Sequence, residues 1–266
     1  MDYKVIVCDM DGTLLNSQHK ISDYTKLIIG KLVEKGMKII IATGRPYLDA
    51  KYFRDSMGLK SFLVTSNGAV IHNEKDENIL SETIDLNISQ QILNYGSDKS
   101  IFHRNIYTPD KWFADFDLPG LDSFHVESNF TYELADMNNF KIDDINKIFF
   151  LGEEDNISNL FKYIHGDFAD IISLTLSNEN CLEVMKKGVN KGNAIKKISE
   201  NIGIPLDNFI AFGDALNDYE MLNSVNNSFL MGNAIKQLKE KLPNKEIIDT
   251  CDNDGVAKKL SEIFSL

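Results

Sequence analysis

Hydrophobic runs and helical repeats take turns along the first 65 residues. Residues 3–9, Tyr-Lys-Val-Ile-Val-Cys-Asp, form a short β-branched run without polar alternation. Such a run predicts a strand covered on both faces, as in a parallel sheet. It ends in Asp9-Met10-Asp11-Gly12-Thr13, where Gly12 permits a tight change of direction. From Ser22, apolar residues at Leu27, Ile28, Leu32 and Val33 recur with a helical period, and Gly36 marks a stop. Residues 37–42 predict a second strand, ending in Thr43-Gly44-Arg45-Pro46, with Pro46 suited to the first turn of a helix running to about residue 57. Residues 61–65 predict a third strand, closed by Ser66-Asn67-Gly68. The rhythm returns late: a helix over 191–202, a strand over 208–212 ending in the loop 213–218, short strands at 229–231 and 246–248, and a last helix over 256–264. Strand–loop–helix order predicts an α/β fold with a parallel sheet and right-handed crossovers. It also gathers the polar, glycine-containing loops at the carboxyl ends of the strands, where open α/β sheets bind ligands.

The stretch 82–184 breaks this rhythm. Alternating patterns, as at 124–134, mix with a helical one at 157–165 and strand-like runs at 148–151 and 171–175. The expected organisation is a core made of residues 1–82 and 185–266, with an inserted α+β domain over residues 83–184.

Composition changes the picture in a few respects. With 266 residues, 43% of them hydrophobic and 26% charged, the chain has material for one large domain or two modest ones. A formal net charge of −12 argues against broad electrostatic binding to nucleic acid or an anionic membrane surface. It also requires a site for any anionic substrate to reverse the field locally. Three cysteines, Cys8, Cys181 and Cys251, form neither a disulfide framework nor a zinc pattern. They point to a reducing, cytoplasmic compartment, with Cys8 a buried thiol. Met1-Asp2-Tyr3-Lys4 is not the basic start of a secretory signal, and no apolar stretch approaches the roughly 20 residues needed to span a bilayer. That excludes an ion-pumping membrane ATPase. No obligate protein partner is inferred.

Four strand-end loops carry candidate chemistry. Asp9 and Asp11 leave the first strand two residues apart, and both can reach one small site if the backbone bends there; the alternative is a plain turn. Carboxylates suit Mg2+, and a carboxylate is also a nucleophile toward phosphorus. In that reading Asp9 attacks, while Asp11 protonates the leaving alcohol and then activates water. The hydroxyl of Thr43 and the N–H of Gly44 can bind phosphate oxygens at a helix entrance, or Thr43 can simply cap that helix. Lys191 stands in the first turn of a helix, against the dipole, and is either a neutraliser of phosphoryl charge or a surface lysine. Asp214 is placed as a metal ligand, Asn217 as a holder of phosphate or metal-bound water, and Asp218 as a support of the site or a helix cap.

Together, Asp-Met-Asp-Gly-Thr-Leu at 9–14, Thr-Gly-Arg at 43–45, Lys-Gly at 191–192 and Gly-Asp-Ala-Leu-Asn-Asp at 213–218 resemble the haloacid dehalogenase superfamily, whose phosphatases use this set in this order. Ser66-Asn67-Gly68-Ala69 and Asp254-Gly255-Val256-Ala257 are similar to turns of its Cof-type branch, and the 82–184 insertion fits that branch's C2B cap in length. The resemblance implies a Rossmann-like core and a Mg2+-dependent phosphatase acting through an aspartyl phosphate. It implies Asp9 as nucleophile and metal ligand, Asp11 as acid/base with its backbone carbonyl on the metal, and Asp214 as the third ligand. It places the Met10 backbone, Thr43, Gly44, Lys191 and Asn217 on phosphate, with Asp218 in support. A small phosphorylated metabolite is the implied substrate: a hexose phosphate, a phosphorylated cofactor or a nucleotide. In the insertion, Arg104, Lys111, Trp112 and His125 are candidates for facing the leaving group or, equally, surface and packing residues. A phosphomutase or phosphotransferase on the same scaffold and a non-catalytic sensor of phosphometabolites are the rival readings.

Overall fold

The structure, a computed structural model, describes residues 3–266, so Met1 and Asp2, with the reading of the extreme N-terminus, lie outside the described residues. Elements β1 (Val5–Cys8), α1 (Asp23–Glu34), β2 (Lys38–Ala42), α2 (Tyr47–Ser56) and β3 (Phe62–Thr65) follow in the expected order. A hairpin comes next, β4 (Val70–His72) and β5 (Asn78–Ser81). The middle of the chain supplies α3 (Leu86–Tyr95), β6 (His103–Tyr107), β7 (Trp112–Ala114), β8 (Tyr132–Leu134), β9 (Lys147–Leu151), α4 (Glu154–Phe168), β10 (Ile172–Asn178) and β11 (Cys181–Lys186). The chain closes with α5 (Lys191–Ile202), β12 (Phe209–Gly213), α6 (Tyr219–Ser224), β13 (Asn227–Leu230), α7 (Lys236–Lys241), β14 (Glu246–Ile247) and α8 (Gly255–Phe264).

Eight strands form one sheet in the order β14-β13-β12-β1-β2-β3-β4-β5. Six of them, β14 through β3, run parallel, with β1 at the centre between β12 and β2. Side-chain alternation along β1 explains its unbroken apolar run: Ile6 and Cys8 enter one core, Val5 and Val7 the other. Helices α1, α2 and α8 cover the first face, and α5, α6 and α7 the second. The expectation of a parallel α/β core therefore holds, with one correction. Strands β4 and β5 pair antiparallel at the edge, a hairpin too short and, in β5, too exposed to leave an apolar run in the sequence.

The second sheet, in the order β10-β11-β9-β6-β7-β8, is antiparallel apart from its β7–β8 pair. Its two faces differ in chemistry because neighbouring residues point opposite ways. Ile106, Ile148, Phe150, Leu182 and Val184 pack under α3 and α4. Tyr107, Trp112, Phe149 and Cys181 form a separate, aromatic cluster on the other face. The alternation at 124–134 yields a strand only at its end, β8. Before it come a short 3-10 turn over Leu121–His125 and a turn with Asn129 at φ 54°, and Ser128 and His125 turn toward α2 instead of joining a sheet.

Helix α1 shows how local sequence sets an element. Ser22 caps it by accepting the Thr25 N–H at 3.0 Å and donates its own hydroxyl to Asp254 at 2.5 Å, tying the helix to the turn before α8. Ile28, Ile29 and Leu32 are buried, whereas Leu27 and Val33, which share the periodic pattern, are 53% and 39% exposed. Pro46 ends as the capping residue of α2, one position ahead of its first turn. Cys8 is a buried free thiol as expected, and Cys181 and Cys251 are also unpaired. Among the described residues no helix is long and apolar enough to cross a membrane. Replacing Ser22 by Ala removes both the cap and the Asp254 contact. The expected loss is about 1–2 kcal/mol, read in a thermal melt as a drop of roughly 2–4 °C per kcal/mol. An unchanged melt would show that α1 does not depend on this cap.

Candidate active site

All four candidate loops emerge at the carboxyl edge of the parallel strands. Asp9 follows β1 directly, and its N–H makes the last rung to Phe212 of β12 at 3.0 Å. The chain then turns at Gly12, φ +71°, where a Cβ would collide with the Asp214 carboxylate. The glycine is thus required twice, for its backbone and for the approach of the first loop to the fourth. Thr13 completes the contact by donating its hydroxyl to Asp214 at 3.0 Å.

Lys191 is fully buried at the start of α5, in the turn that Asn190 caps by accepting the Asn193 N–H. Its ammonium donates to Asp9 and to Asp218, both at 2.6 Å. The surface-lysine alternative is therefore excluded. The other oxygen of Asp218 accepts the N–H groups of Asp214 and Ala215 at 2.9 and 3.0 Å, so Asp218 braces Lys191 and the fourth loop at once. Gly213 leaves room for this: a Cβ there would lie 2.7 Å from Asp218. Thr43 does not cap α2. Its hydroxyl accepts the Arg45 N–H at 3.1 Å and shapes the 43–45 turn.

Carboxylates outnumber cations here. Oxygens of Asp9, Asp214 and Asp218 all lie within 4.8 Å of one another. Burial first, then Asp218, Asp214 and Asp11, push the Asp9 carboxyl well above the usual carboxylate range against the pull of Lys191. Asp214 is pushed up to about 7 by burial and by Asp218, despite the Thr13 hydrogen bond. Lys191 is raised above its ordinary value because Asp218 and Asp9 outweigh its desolvation. An all-oxygen acidic set whose charges repel one another is what a hard divalent cation fits. Asp218 has both oxygens committed to donors of the protein, which leaves Asp9 and Asp214 as the carboxylates available to such an ion.

The Asp11 carboxylate turns the other way. Arg45 grips it with two hydrogen bonds, Nε at 2.7 Å and Nη2 at 2.6 Å, and places Nη1 2.7 Å from buried Asp49 on α2. Asp49 in turn meets His125 at 2.9 Å and the Ser128 hydroxyl, both from the inserted segment. On the other side Lys147 of β9 reaches the carbonyl of Gly44 at 2.8 Å and pairs with Glu183 of β11 at 2.7 Å. Arg45, His125, Lys147 and Glu183 border a cavity of about 570 Å³ with Asp9, Asp11, Thr43, Gly44, Asp214 and Asn217 on its floor. Its roof is the aromatic face of the second sheet, where Lys147, Phe149 and Leu151 alternate along β9 beside Tyr107 and Trp112.

Asp9, Asp11, Thr43, Gly44, Asp214 and Asn217 line this cavity, with Lys191 and Asp218 just beneath it, whereas the Met10 side chain packs into the core and leaves only its backbone between Asp9 and Asp11. Trp112 and His125 line it as well. Arg104 does not: it is fully buried beneath the sheet, held by Asp115 and Asn138. Lys111 is exposed and paired with Glu133. Arg45, Asp49, Lys147 and Glu183 were given no role from sequence. Arg45 sits inside a recognised motif; the other three carry no local signal, since ion pairs 4 to 36 residues apart become visible only on folding.

Comparison with known proteins agrees with the motifs. The family model for haloacid dehalogenase-like hydrolases matches residues 6–260. The chain is 33% identical over 253 residues to a protein named HMP-PP phosphatase from Escherichia fergusonii, covering 95% of this chain and 93% of that protein. It is 32% identical over 259 residues to the protein of the same name from Serratia proteamaculans, covering 96% and 93%. In fold it resembles a haloacid dehalogenase-like hydrolase from B. subtilis (TM-score 0.88, 23% identity, 98% and 99% of the two chains). It likewise resembles a subclass IIB sugar phosphatase of that superfamily (TM-score 0.85, 20% identity, 99% and 100%).

The buried ammonium makes a stability prediction. The pKa of Lys191 is raised, so its contribution is complete below the ordinary lysine value of about 10.4 and fades only as pH climbs through the raised one. Lys191→Met leaves Asp9 and Asp218 facing each other and should cost about 3–5 kcal/mol near neutral pH. The loss should shrink as the pH falls and Asp9 protonates. Denaturant melts of both proteins across that range test this; a pH-independent difference would contradict the charge account.

Proposed function

The chain belongs to the haloacid dehalogenase-like hydrolases, in their Cof-type branch, and is a phosphatase of small phosphorylated metabolites; from that footing we propose that Asp9 is its nucleophile and Asp11 its acid/base. The observation that carries this reading is the convergence of Asp9, Lys191 and Asp214, from three distant segments, at one edge of the sheet around one cavity. The second sheet is read as a cap, with residues 1–82 and 185–266 as catalytic core and 83–184 as insertion.

Mg2+ is the proposed metal, held by Asp9, Asp214 and the backbone carbonyl of Asp11; when bound it supplies positive charge that offsets repulsion between carboxylate and phosphoryl oxygens. Thr43, Asn217 and the N–H groups of Met10 and Gly44 hold the phosphoryl group, and Lys191 neutralises charge shared between it and Asp9. A carboxylate oxygen of Asp9 attacks phosphorus in line, and the bond to the leaving oxygen breaks as Asp11 gives that oxygen a proton. Asp11 then takes a proton from water, the water oxygen bonds to phosphorus, and the aspartyl bond breaks to release inorganic phosphate. The Arg45 fork suits the second half, in which Asp11 is a base; to carry a proton as an acid, Asp11 must leave that fork.

For the leaving group, the roof offers Tyr107, Trp112 and Phe149 to a flat or apolar face, with Lys147 and Glu183 for polar contacts. HMP-PP, in the name of the relatives, is the first substrate to test, followed by sugar phosphates, phosphorylated cofactors and nucleotides. A phosphate-release screen with Mg2+ should show turnover, with Asp9→Asn inactive but equally stable and Asp11→Asn slowed by about 10²–10⁴-fold. Full activity in the Asp9 variant would overturn the assignment.

The raised Asp214 adds a pH dependence. A buried acid with a raised pKa favours its protonated form as pH falls through about 7, and a bound cation must displace that proton. Mg2+ should therefore raise the melting temperature more at about pH 8 than at about pH 6. Equal shifts at both would count against Asp214 as a ligand.

A further inference from the structure

The turn Ser66–Gly68 has no place in the reaction above, yet it holds two consecutive non-glycine residues in the left-handed region beside the cavity. Ser66, Asn67 and Gly68 have φ of 48°, 57° and 103°, consecutive left-handed conformations of which only the last is a glycine's. Such strain persists only where surrounding contacts over-determine it, and here they do. Ser66 N–H donates to the Arg45 carbonyl at 2.9 Å and Asn67 N–H to the Thr43 carbonyl at 3.0 Å, fixing the turn to the second loop. A Cβ on Gly68 would lie 2.5 Å from the carbonyl of Asn190, the cap that starts the Lys191 helix. A Cβ on Gly44 would lie 2.9 Å from the Asn67 carboxamide oxygen. That same oxygen accepts the Asn217 side-chain amide at 3.1 Å. The turn therefore abuts three of the four strand-end loops.

The Asn67 amide nitrogen points outward from the core. It donates to Glu183 Oε2 at 2.5 Å, and Glu183 Oε1 holds Lys147, whose ammonium returns to the Gly44 carbonyl. The result is a continuous chain of hydrogen bonds: Asn217 to Asn67, Asn67 to Glu183, Glu183 to Lys147, Lys147 to Gly44. Asn67, Glu183 and Lys147 are all buried. Two members lie on the second sheet, and the hydrogen-bonded chain ends on Asn217 and Gly44, two of the groups assigned to phosphate.

We propose that Asn67 is a positioning residue that couples closure of the cap to the phosphate site, with Glu183 as the cap group it reads. With Glu183 in place, the Asn67 amide is fixed with its oxygen toward Asn217 and against Gly44, and both phosphate-holding groups are aligned. With the cap withdrawn, Asn67 loses its acceptor and its side chain is free to turn, so the site is complete only when the roof is closed over it. This rests on the phosphatase reading above.

The test exchanges donor and acceptor. Asn67→Asp keeps the left-handed turn, which Asp tolerates, but sets a carboxylate against Glu183. Glu183→Gln keeps the shape and removes the charge. Each alone should lower kcat by about tenfold or more, the scale of one charged hydrogen bond, with KM changing less. In the double variant the carboxamide introduced at position 183 can donate to the carboxylate introduced at position 67, and net charge is conserved. Its kcat should return to within about threefold of wild type. Additive losses, or single variants with wild-type kcat, would overturn the coupling, while a wild-type enzyme that releases phosphate from nothing would overturn the function instead. If a variant does not fold, hydrogen exchange on the unaltered protein decides: inorganic phosphate with Mg2+ should protect residues 66–69 and 181–185 together, and protection confined to the first segment would refute the proposal.

Discussion

An ammonium ion held away from water between two carboxylates is the constraint on which this molecule is built. Removing a lysine and two aspartates from solvent costs several kcal/mol per ion unless each finds close partners. Lys191, Asp9 and Asp218 find them in one another, and Asp218 gives its remaining oxygen to two backbone N–H groups of the loop carrying Asp214. That arrangement dictates the rest of the sheet edge. Strand β1 must end beside β12, α5 must begin beneath both, and glycines must stand where the loops meet.

The charge balance of the whole chain gains its meaning here. A protein of net charge −12 that handles anions needs local compensation. The structure supplies less of it than the loops alone would suggest, because Arg45 is taken by Asp11 and Asp49, and Lys147 by Glu183. The acids on the cavity floor are left mutually repelling, which is the physical reason a divalent cation belongs in the account.

How much of this was legible in the sequence follows from where each signal resides. The centre of the parallel core was readable because β1, β2, β3 and β12 are mainly apolar runs closed by polar turns, and the core motifs were readable because each sits within six consecutive residues. The β4–β5 hairpin was not, since its second strand is exposed and has no apolar pattern. The stretch before β8 misled because its alternating pattern falls on a 3-10 turn and a left-handed turn at Asn129, from which His125 and Ser128 both reach Asp49. Arg104 illustrates the opposite error: a cation in the insertion looks like a substrate contact until its buried partner, Asp115, is seen. Lys147 and Glu183 could not be paired in advance, because their meeting depends on β9 and β11 lying side by side in register.

The contacts that join the two sheets across the cavity are ion pairs and amides, whereas the aromatic face behind them already borders open space. Parting the halves would hand those polar groups to solvent, and the hydrocarbon it uncovered would include the patch where Met185 meets Ala69 and Val70. Because the polar groups are buried, salt screens them little while the seam is closed, and ions reach them only once it parts. Each opening of the roof would therefore rehydrate a few charged groups, and each closing would strip that water away again.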